Sequence, residues 1–234
     1  MSTVRRLFVL SCTVAAAALV ASPARAGLFE RLNPFVSFES RCATLPPGHY
    51  EVLAVPVAFQ EDFGESLRAL SSMHEAAQLN HRTVGLTQAR LSYESTLESK
   101  GLEERWGGRV CARPHVRVVF AAVPMTVYVA RELAGDDCRR EMIREHEMRH
   151  VAVYRTYLEE IVDRARRELP AVYGSEPVYS RNARESQEQM RVRLQDFMRS
   201  FMKTAYAELR ERQARIDTSE EYARLGRACL MPAG

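Results

Sequence analysis

The chain has 234 residues, 46% of them hydrophobic, so it can bury a substantial core and is too apolar to be intrinsically disordered. Its formal charge of +3 comes from three arginines in the first 26 residues, and the rest of the chain holds 30 basic and 30 acidic residues. A near-neutral chain lacks the electrostatic footprint of a nucleic-acid-binding protein, so we expect no nucleic-acid partner.

Residues 1–26 have the pattern of a secretory signal peptide. Arg5 and Arg6 form a positive start, Leu7 to Val20 an apolar stretch, and Ala24-Arg25-Ala26 a small-residue cleavage site. The apolar stretch has about 14 residues, whereas a membrane span needs about 20. We therefore expect cleavage, no transmembrane anchor in the remaining chain, and export either to a periplasm or out of the cell.

The next region, residues 27–135, is predicted to be rich in strands. Residues 27–48 contain three prolines and are expected to form an irregular covering arm. His49 to Phe59 is rich in β-forming residues and predicts a strand that Pro56 restricts to an edge or a bulge. Glu65 to Asn80 has apolar residues at helical spacing, and His74 and His81 there are minor candidates for metal ligands.

Three further strands are predicted before residue 136. Gln88 to Leu97 alternates in polarity, which indicates a half-buried strand. Val110 to Phe120 and Met125 to Arg131, joined through Ala121 to Pro124, are predicted to form an antiparallel hairpin. Met125 to Arg131 is also expected to lie at the sheet edge, where it would offer its backbone to an extended peptide. Trp106, in the loop between strands, is expected to be a packing anchor.

The segment from Asp136 to Leu169 contains an H-E-x-x-H pattern at His146, Glu147 and His150. On a helix, residues four positions apart lie on one face, so both imidazoles can reach one metal ion. The pattern is typical of zinc (Zn²⁺) hydrolases, in which the glutamate acts as general base on a water molecule activated by the metal. This helix is predicted to begin at Asp136 or Asp137 and to end at Pro170, before a loop that reaches Asn182.

A catalytic zinc normally has three protein ligands and one open position. The extended metzincin pattern is absent, because Val153 and Thr156 stand where its glycine and third histidine would be. The candidates for the third ligand are carboxylates: Glu208, Asp217, Glu220 and Glu221. The candidates for stabilising an oxyanion are Tyr154, Tyr157 and His115. Core packing is the commoner role of such tyrosines, and His115 is also a minor candidate for the ligand.

Ala183 to Ile216 is predicted to be one long helix with an apolar stripe. Asp217-Thr218-Ser219 would break it, and Glu220 to Cys229 would form a short final helix. Because strands precede helices, the predicted fold class is α+β: a single domain over residues 27–234, with a small, mainly antiparallel sheet over 27–135 and a helical part over 136–234.

Four cysteines lie beyond the predicted cleavage site: Cys42, Cys111, Cys138 and Cys229. An even number in an oxidising compartment favours two disulfides over metal thiolates, with three possible connectivities. We favour Cys42 with Cys111 and Cys138 with Cys229, because the second bond would tie the last helix to the start of the motif helix.

The signal peptide, Cys138, the sequence REHEMRH ending at His150 and the sequence QARIDTSEEY around Asp217 together resemble the predicted secreted zinc-dependent proteases of bacteria. The resemblance covers roughly the second half of the chain. It implies a zincin-like fold, zinc on His146 and His150, a catalytic Glu147 and a peptide or protein substrate. Asp217 corresponds to a downstream aspartate of that group, whereas the histidine that follows it there has no counterpart in this chain.

These observations predict an exported zinc-dependent hydrolase, most simply a peptidase. Two alternatives remain open. One is a non-catalytic envelope protein that binds through its long helix, and the other is an amidase that acts on cell-wall peptides.

Overall fold

A computed structural model of the chain describes residues 36–73 and 83–229. Its elements, in chain order, are α1 (Phe38–Ala43), β1 (His49–Ala54), β2 (Gln60–Asp62), α2 (Leu67–Met73), β3 (Gly85–Glu103), β4 (Val110–Val129), α3 (Asp137–Tyr173), β5 (Val178–Ser180), α4 (Ala183–Ala214) and α5 (Ser219–Ala228), with a short 3₁₀ turn at Arg131–Leu133 before α3. The protein is mixed α and β, as predicted. The predicted signal peptide, His74 and His81 lie outside the described residues.

β4 is the central strand of a five-stranded, mostly antiparallel sheet. β3 pairs with it in antiparallel orientation over almost its whole length. Along its opposite side, β4 pairs first with β5, which is antiparallel to it, and then with β1 and β2, which are parallel to it. The prediction that Met125 to Arg131 lies at the sheet edge is therefore wrong. Among the described residues every other strand pairs with β4 alone, so β3 forms one edge of the sheet, and β5, β1 and β2 form the other.

The predicted hairpin of Val110 to Phe120 with Met125 to Arg131 is also wrong, because both segments belong to β4. Arg90 of β3 stands opposite two residues of β4, Val123 and Pro124, which makes a β-bulge. The buried positions of β4 change from even to odd numbers across this bulge, so the same face stays against the core. The proline that suggests a turn in the sequence instead marks an irregularity inside one long strand.

α3 and α4 cover one face of the sheet and form the main core with it. Val118 and Phe120 of β4 and Ile161 of α3 are almost completely buried there. The ring of Phe120 lies 5.6 Å from that of Phe201 on α4, measured between centroids. Complete burial of one such side chain contributes about 1.5–3 kcal/mol, so this layer is the main source of stability.

Several boundaries differ from the prediction in the first half of the chain. The strand that begins at His49 ends at Ala54, two residues before Pro56. The arm contains the short helix α1, and the described part of the predicted helix from Glu65 is α2. Trp106 is not a packing anchor, because 89% of its surface is exposed and the guanidinium of Arg105 covers its ring at 5.3 Å.

The motif helix α3 begins as predicted, since the Asp136 side chain caps it by accepting a hydrogen bond from the Arg139 backbone. It does not end at Pro170 but continues to Tyr173. The buried hydroxyl of Tyr173 donates to the Met190 carbonyl at 3.0 Å, so packing against α4 compensates for the backbone bond that the proline lacks. The helix ends at Gly174, which has a φ of +71°.

The last part of the chain follows the prediction more closely. α4 and α5 are separated by a break at Asp217, and α5 is capped by Thr218. The region between α3 and α4, predicted to be a loop, contains the short strand β5. Cys42 is bonded to Cys111 and Cys138 to Cys229, which confirms the favoured connectivity. Within the described residues, no helix is both long and apolar enough to cross a bilayer.

Candidate metal centre

The H-E-x-x-H residues lie on α3, where this helix packs against the start of β3. His146 and Glu147 are each 4% exposed, and His150 is 8% exposed. The approach of β3 depends on Gly85, because a Cβ atom there would lie 2.6 Å from Glu147 Oε1 and 2.5 Å from Ile143 Cγ2. A glycine at this position therefore leaves the space that the Glu147 carboxyl occupies.

Asp217, in the break between α4 and α5, lies against both histidines. Its Oδ1 atom is 3.1 Å from His146 Nε2 and 3.2 Å from His150 Nε2, and the two Nε2 atoms are 3.4 Å apart. Ligand atoms about 2.0–2.1 Å from a tetrahedral metal ion lie about 3.3 Å from one another, so these three separations fit such a set. Within residues 36–73 and 83–229, this is the one group of three such side chains that could hold a metal ion.

The other carboxylates considered for the third ligand lie elsewhere. Glu221 approaches the opposite nitrogen of His146, with 3.3 Å between Oε1 and Nδ1. Glu220 is exposed on α5. Glu208 accepts hydrogen bonds from Tyr157 at 2.7 Å and from Arg164 at 2.9 Å. Asp217 is thus the carboxylate that the structure brings to the two Nε2 atoms.

Polar side chains orient the histidines and Asp217. His150 Nδ1 lies 2.6 Å from the amide oxygen of Gln213, which can only accept, so we assign the proton of the neutral ring to Nδ1. That assignment leaves Nε2 of His150 free to bind a metal ion. The Tyr222 hydroxyl is hydrogen-bonded to Asp217, and its ring centroid lies 6.2 Å from that of His146.

The partners of Glu221 complete this arrangement. Its carboxylate pairs with Arg149 and with Arg224, and the Arg149 guanidinium also lies 2.8 Å from His146 Nδ1. The hydrogen bond from Arg224 is the largest cause that lowers the pKa of Glu221, to about 2. Glu221 is therefore an anion at neutral pH, and its Oε1 atom lies 3.3 Å from His146 Nδ1.

The pKa values of Glu147 and Asp217 are shifted in opposite directions. Burial raises the pKa of Glu147, although His150 and the hydrogen bond from Thr87, 2.8 Å from Oε2, oppose that shift. Burial acts in the same direction on Asp217, but its interactions with His146 and His150 outweigh it and hold the pKa of Asp217 well below its usual range. Asp217 is thus suited to carry charge, and Glu147 is suited to exchange a proton.

The structure does not bring the three oxyanion candidates together with these histidines. Tyr154 donates to the Ala89 carbonyl at 3.3 Å, and Tyr157 is buried between α3 and α4. His115 lies on β4 with its ring centroid 5.7 Å from that of His49. The tyrosine beside the histidines is instead Tyr222, which sequence reasoning did not consider.

Sequence reasoning also missed Thr87 and Gln213. Thr87 reaches Glu147 across 60 residues of chain, and Gln213 reaches His150 across 63. The alternation of β3 indicates a strand but not which helix residue it meets. For Gln213 and Tyr222, the available signal was their position in the segment QARIDTSEEY that also contains Asp217.

Comparisons with protein-family models, with curated proteins and with solved structures find no match to this chain. Fold and site together therefore define the class of the protein in structural terms. It is a disulfide-bonded protein of mixed α and β structure, with a buried His-His-Asp group that could hold a metal ion.

Proposed function

We propose that this protein is an exported zinc-dependent peptidase with a zincin-like arrangement of its motif helix and edge strand. The observation that carries the proposal is the triangle of His146 Nε2, His150 Nε2 and Asp217 Oδ1, with separations of 3.1–3.4 Å. The carboxyl of Glu147 interacts electrostatically with all three of these side chains.

The donor set favours a transition-metal ion such as zinc over magnesium or calcium. Two imidazoles and one carboxylate suit zinc, whereas magnesium and calcium prefer oxygen ligands alone. All four cysteines of the described residues are in disulfides, so thiolate-rich sites are not available. When bound, zinc would polarise a substrate carbonyl and lower the pKa of water.

Glu147 is the residue to which we assign proton transfer. The Thr87 hydroxyl holds its Oε2 atom, and Gly85 leaves space at its Oε1 atom. The raised pKa of Glu147 brings its two protonation states closer in free energy near neutral pH. Glu147 would accept a proton from the attacking water and pass it to the leaving amine.

The edge strand β3 supports a peptide as substrate. The Ala130 N–H donates to the Val84 carbonyl, so the backbone groups of Val84 face β4. Backbone groups alternate along a strand, and those of Gly85 and Thr87 therefore face away from β4, beside Glu147. An extended peptide could pair with them by strand addition, which would place a backbone carbonyl next to the histidines.

The test measures metal content and hydrolysis together, on protein purified in its exported, oxidised form. We expect about one zinc per chain and cleavage of casein as an unfolded substrate. His146→Ala should lose zinc, whereas Glu147→Gln should keep zinc and lose about 10²- to 10⁴-fold in kcat. Glu145→Gln, an exposed carboxylate on the same helix, is the matched control and should change neither.

The zinc content and the substrates cleaved distinguish the peptidase from the amidase and from the non-catalytic envelope protein. A wild-type protein without zinc under metal-replete conditions would refute the proposal. Zinc with cleavage of cell-wall peptides but not of casein would favour the amidase. Zinc without hydrolysis of either substrate would favour a non-catalytic envelope protein.

A further inference from the structure

One short segment, residues 217–222, supplies much of the metal centre outside the motif. Asp217 faces both Nε2 atoms, Glu221 faces His146 Nδ1, and Tyr222 is hydrogen-bonded to Asp217. These three residues lie in the break before α5 and in the first turn of α5. The position of α5 therefore decides whether the two histidines have a third ligand and polar partners.

α5 has little apolar attachment to the rest of the protein. None of its residues, all of which lie in the described part of the chain, is buried. Its noncovalent links to α3 include the ion pair of Glu221 with Arg149, whose side chains are 11% and 46% exposed. An ion pair with a solvent-exposed arginine contributes little to stability, and α5 buries no apolar residue, so packing and charge alone hold α5 weakly.

The disulfide between Cys138 and Cys229 attaches α5 at its far end. Cys229 is the C-terminal cap of α5, and Cys138 lies in the first turn of α3. The chain connects the other end of α5 to α4 through Asp217. With the disulfide present, α5 is therefore held at both ends across the two histidines of α3.

We propose that the Cys138–Cys229 disulfide controls metal binding at this centre. When it is formed, α5 keeps Asp217, Glu221 and Tyr222 against the histidines. When a dithiol reduces it, two electrons and two protons pass to the cysteine pair, the dithiol becomes a disulfide, and α5 detaches from α3. The inference rests on the proposed metal centre, but it does not depend on the reaction.

This coupling would keep the chain poor in metal while it is reduced and would build the site once it is oxidised. The second disulfide offers a matched comparison. Cys42 and Cys111 are buried with Phe38 in a separate cluster, which contains none of the residues of the metal centre. Loss of that disulfide should therefore leave the three ligand atoms in place.

The test compares zinc affinity by competition with a chromogenic chelator. We expect Cys138→Ser/Cys229→Ser to bind zinc about 100-fold more weakly than the oxidised wild type, because loss of outer partners alone costs about 10- to 100-fold. Cys42→Ser/Cys111→Ser should stay within about threefold of wild type. Serine replaces the free thiols, which would otherwise act as zinc ligands.

Hydrogen exchange on the same proteins tests whether the release is local. In Cys138→Ser/Cys229→Ser, the amides of α5 should exchange faster, whereas those of α3 and β4 should keep their protection. Equal zinc affinity in the two double variants, unchanged protection of α5, or unfolding of the whole chain would each overturn the inference. Absence of zinc from the oxidised wild type would instead refute the metal centre itself.

Discussion

At the residue scale, the carboxyl of Glu147 lies between one side chain that binds it and one residue that leaves room for it. Thr87 donates a hydrogen bond to Oε2, and Gly85 has no side chain to meet Oε1. The two residues come from the same strand, β3. Their effects differ, because Thr87 stabilises the charged form of Glu147 whereas Gly85 determines whether the carboxyl fits at all.

Gly85→Ala should therefore disturb the site without touching a metal ligand. The new methyl group would overlap Glu147 Oε1 and Ile143 Cγ2, and we expect a loss of about 1–3 kcal/mol in the free energy of unfolding together with reduced hydrolysis. Zinc affinity should change much less than activity. Urea unfolding and casein cleavage measure the two effects.

Gly135→Ala is the control for this substitution, because nothing lies within 4 Å of a Cβ atom at Gly135. It should leave stability, zinc affinity and hydrolysis close to wild type. Wild-type hydrolysis by Gly85→Ala would contradict the assigned position of Glu147.

At the scale of elements, a polar group links α3 to α4. Tyr157 donates a hydrogen bond to Glu208, and Arg164 pairs with the same carboxylate. Burial, followed by the bond to Glu208, raises the pKa of Tyr157 to about 12. A carboxylate on an apolar helix stripe needs a partner, and this one has two, which explains its position without a metal ion.

We accordingly expect Glu208→Ala to lower stability while zinc affinity stays unchanged. Loss of the carboxylate leaves Arg164 without this partner and should cost about 1–3 kcal/mol in urea unfolding. Asp217→Ala should do the reverse and weaken zinc binding without breaking the α3–α4 contact. A large loss of zinc affinity in Glu208→Ala would contradict the ligand assignment.

The contribution of Glu208 should also depend on pH. Burial raises its pKa, but hydrogen bonds from Tyr157 and Arg164 outweigh this, so the pKa is lowered on folding. A carboxyl group whose pKa is lowered on folding stabilises the protein above its unfolded-state pKa. That stabilisation disappears as the pH falls through the folded-state value, and Glu208→Ala should lack it.

At the scale of the whole molecule, the proposed metal binding would be linked to folding. His150 and Asp217 are separated by 67 residues, and they meet only when α3, α4 and α5 are assembled. A metal ion that binds this group therefore binds the folded state in preference to the unfolded one.

Zinc should raise the melting temperature of the wild-type protein. At a free concentration 100 times the Kd, the gain is about 2.7 kcal/mol, which corresponds to about 5–10 °C for a chain of this size. Thermal unfolding with added zinc, and then with a chelator, measures the shift and its reversal. His150→Ala should show no shift, and the same melting temperature for wild type with and without zinc would contradict the linkage.

Several features of this protein follow from local sequence. The four-residue spacing of His146 and His150 places both on one helix face, and residues such as Asp136 and Thr218 begin helices because their side chains cap free N–H groups. The break between α4 and α5 at Asp217 also follows from the sequence around it. The expectation of export and an even cysteine count were sufficient to predict two disulfides, and placing the last helix beside the start of the motif helix favoured the connectivity that is observed.

Only the tertiary structure decided which strand lies at the edge and which carboxylate meets the histidines. The alternation of β4 predicts a strand on each side of Pro124, but the pairing with β3 makes the two halves one strand. The sequence did not distinguish among the four carboxylates considered for the third ligand. The packing of α4 and α5 against α3 brings one of them, Asp217, to both Nε2 atoms. Such choices depend on contacts between residues far apart in sequence, which periodicity within one element does not encode.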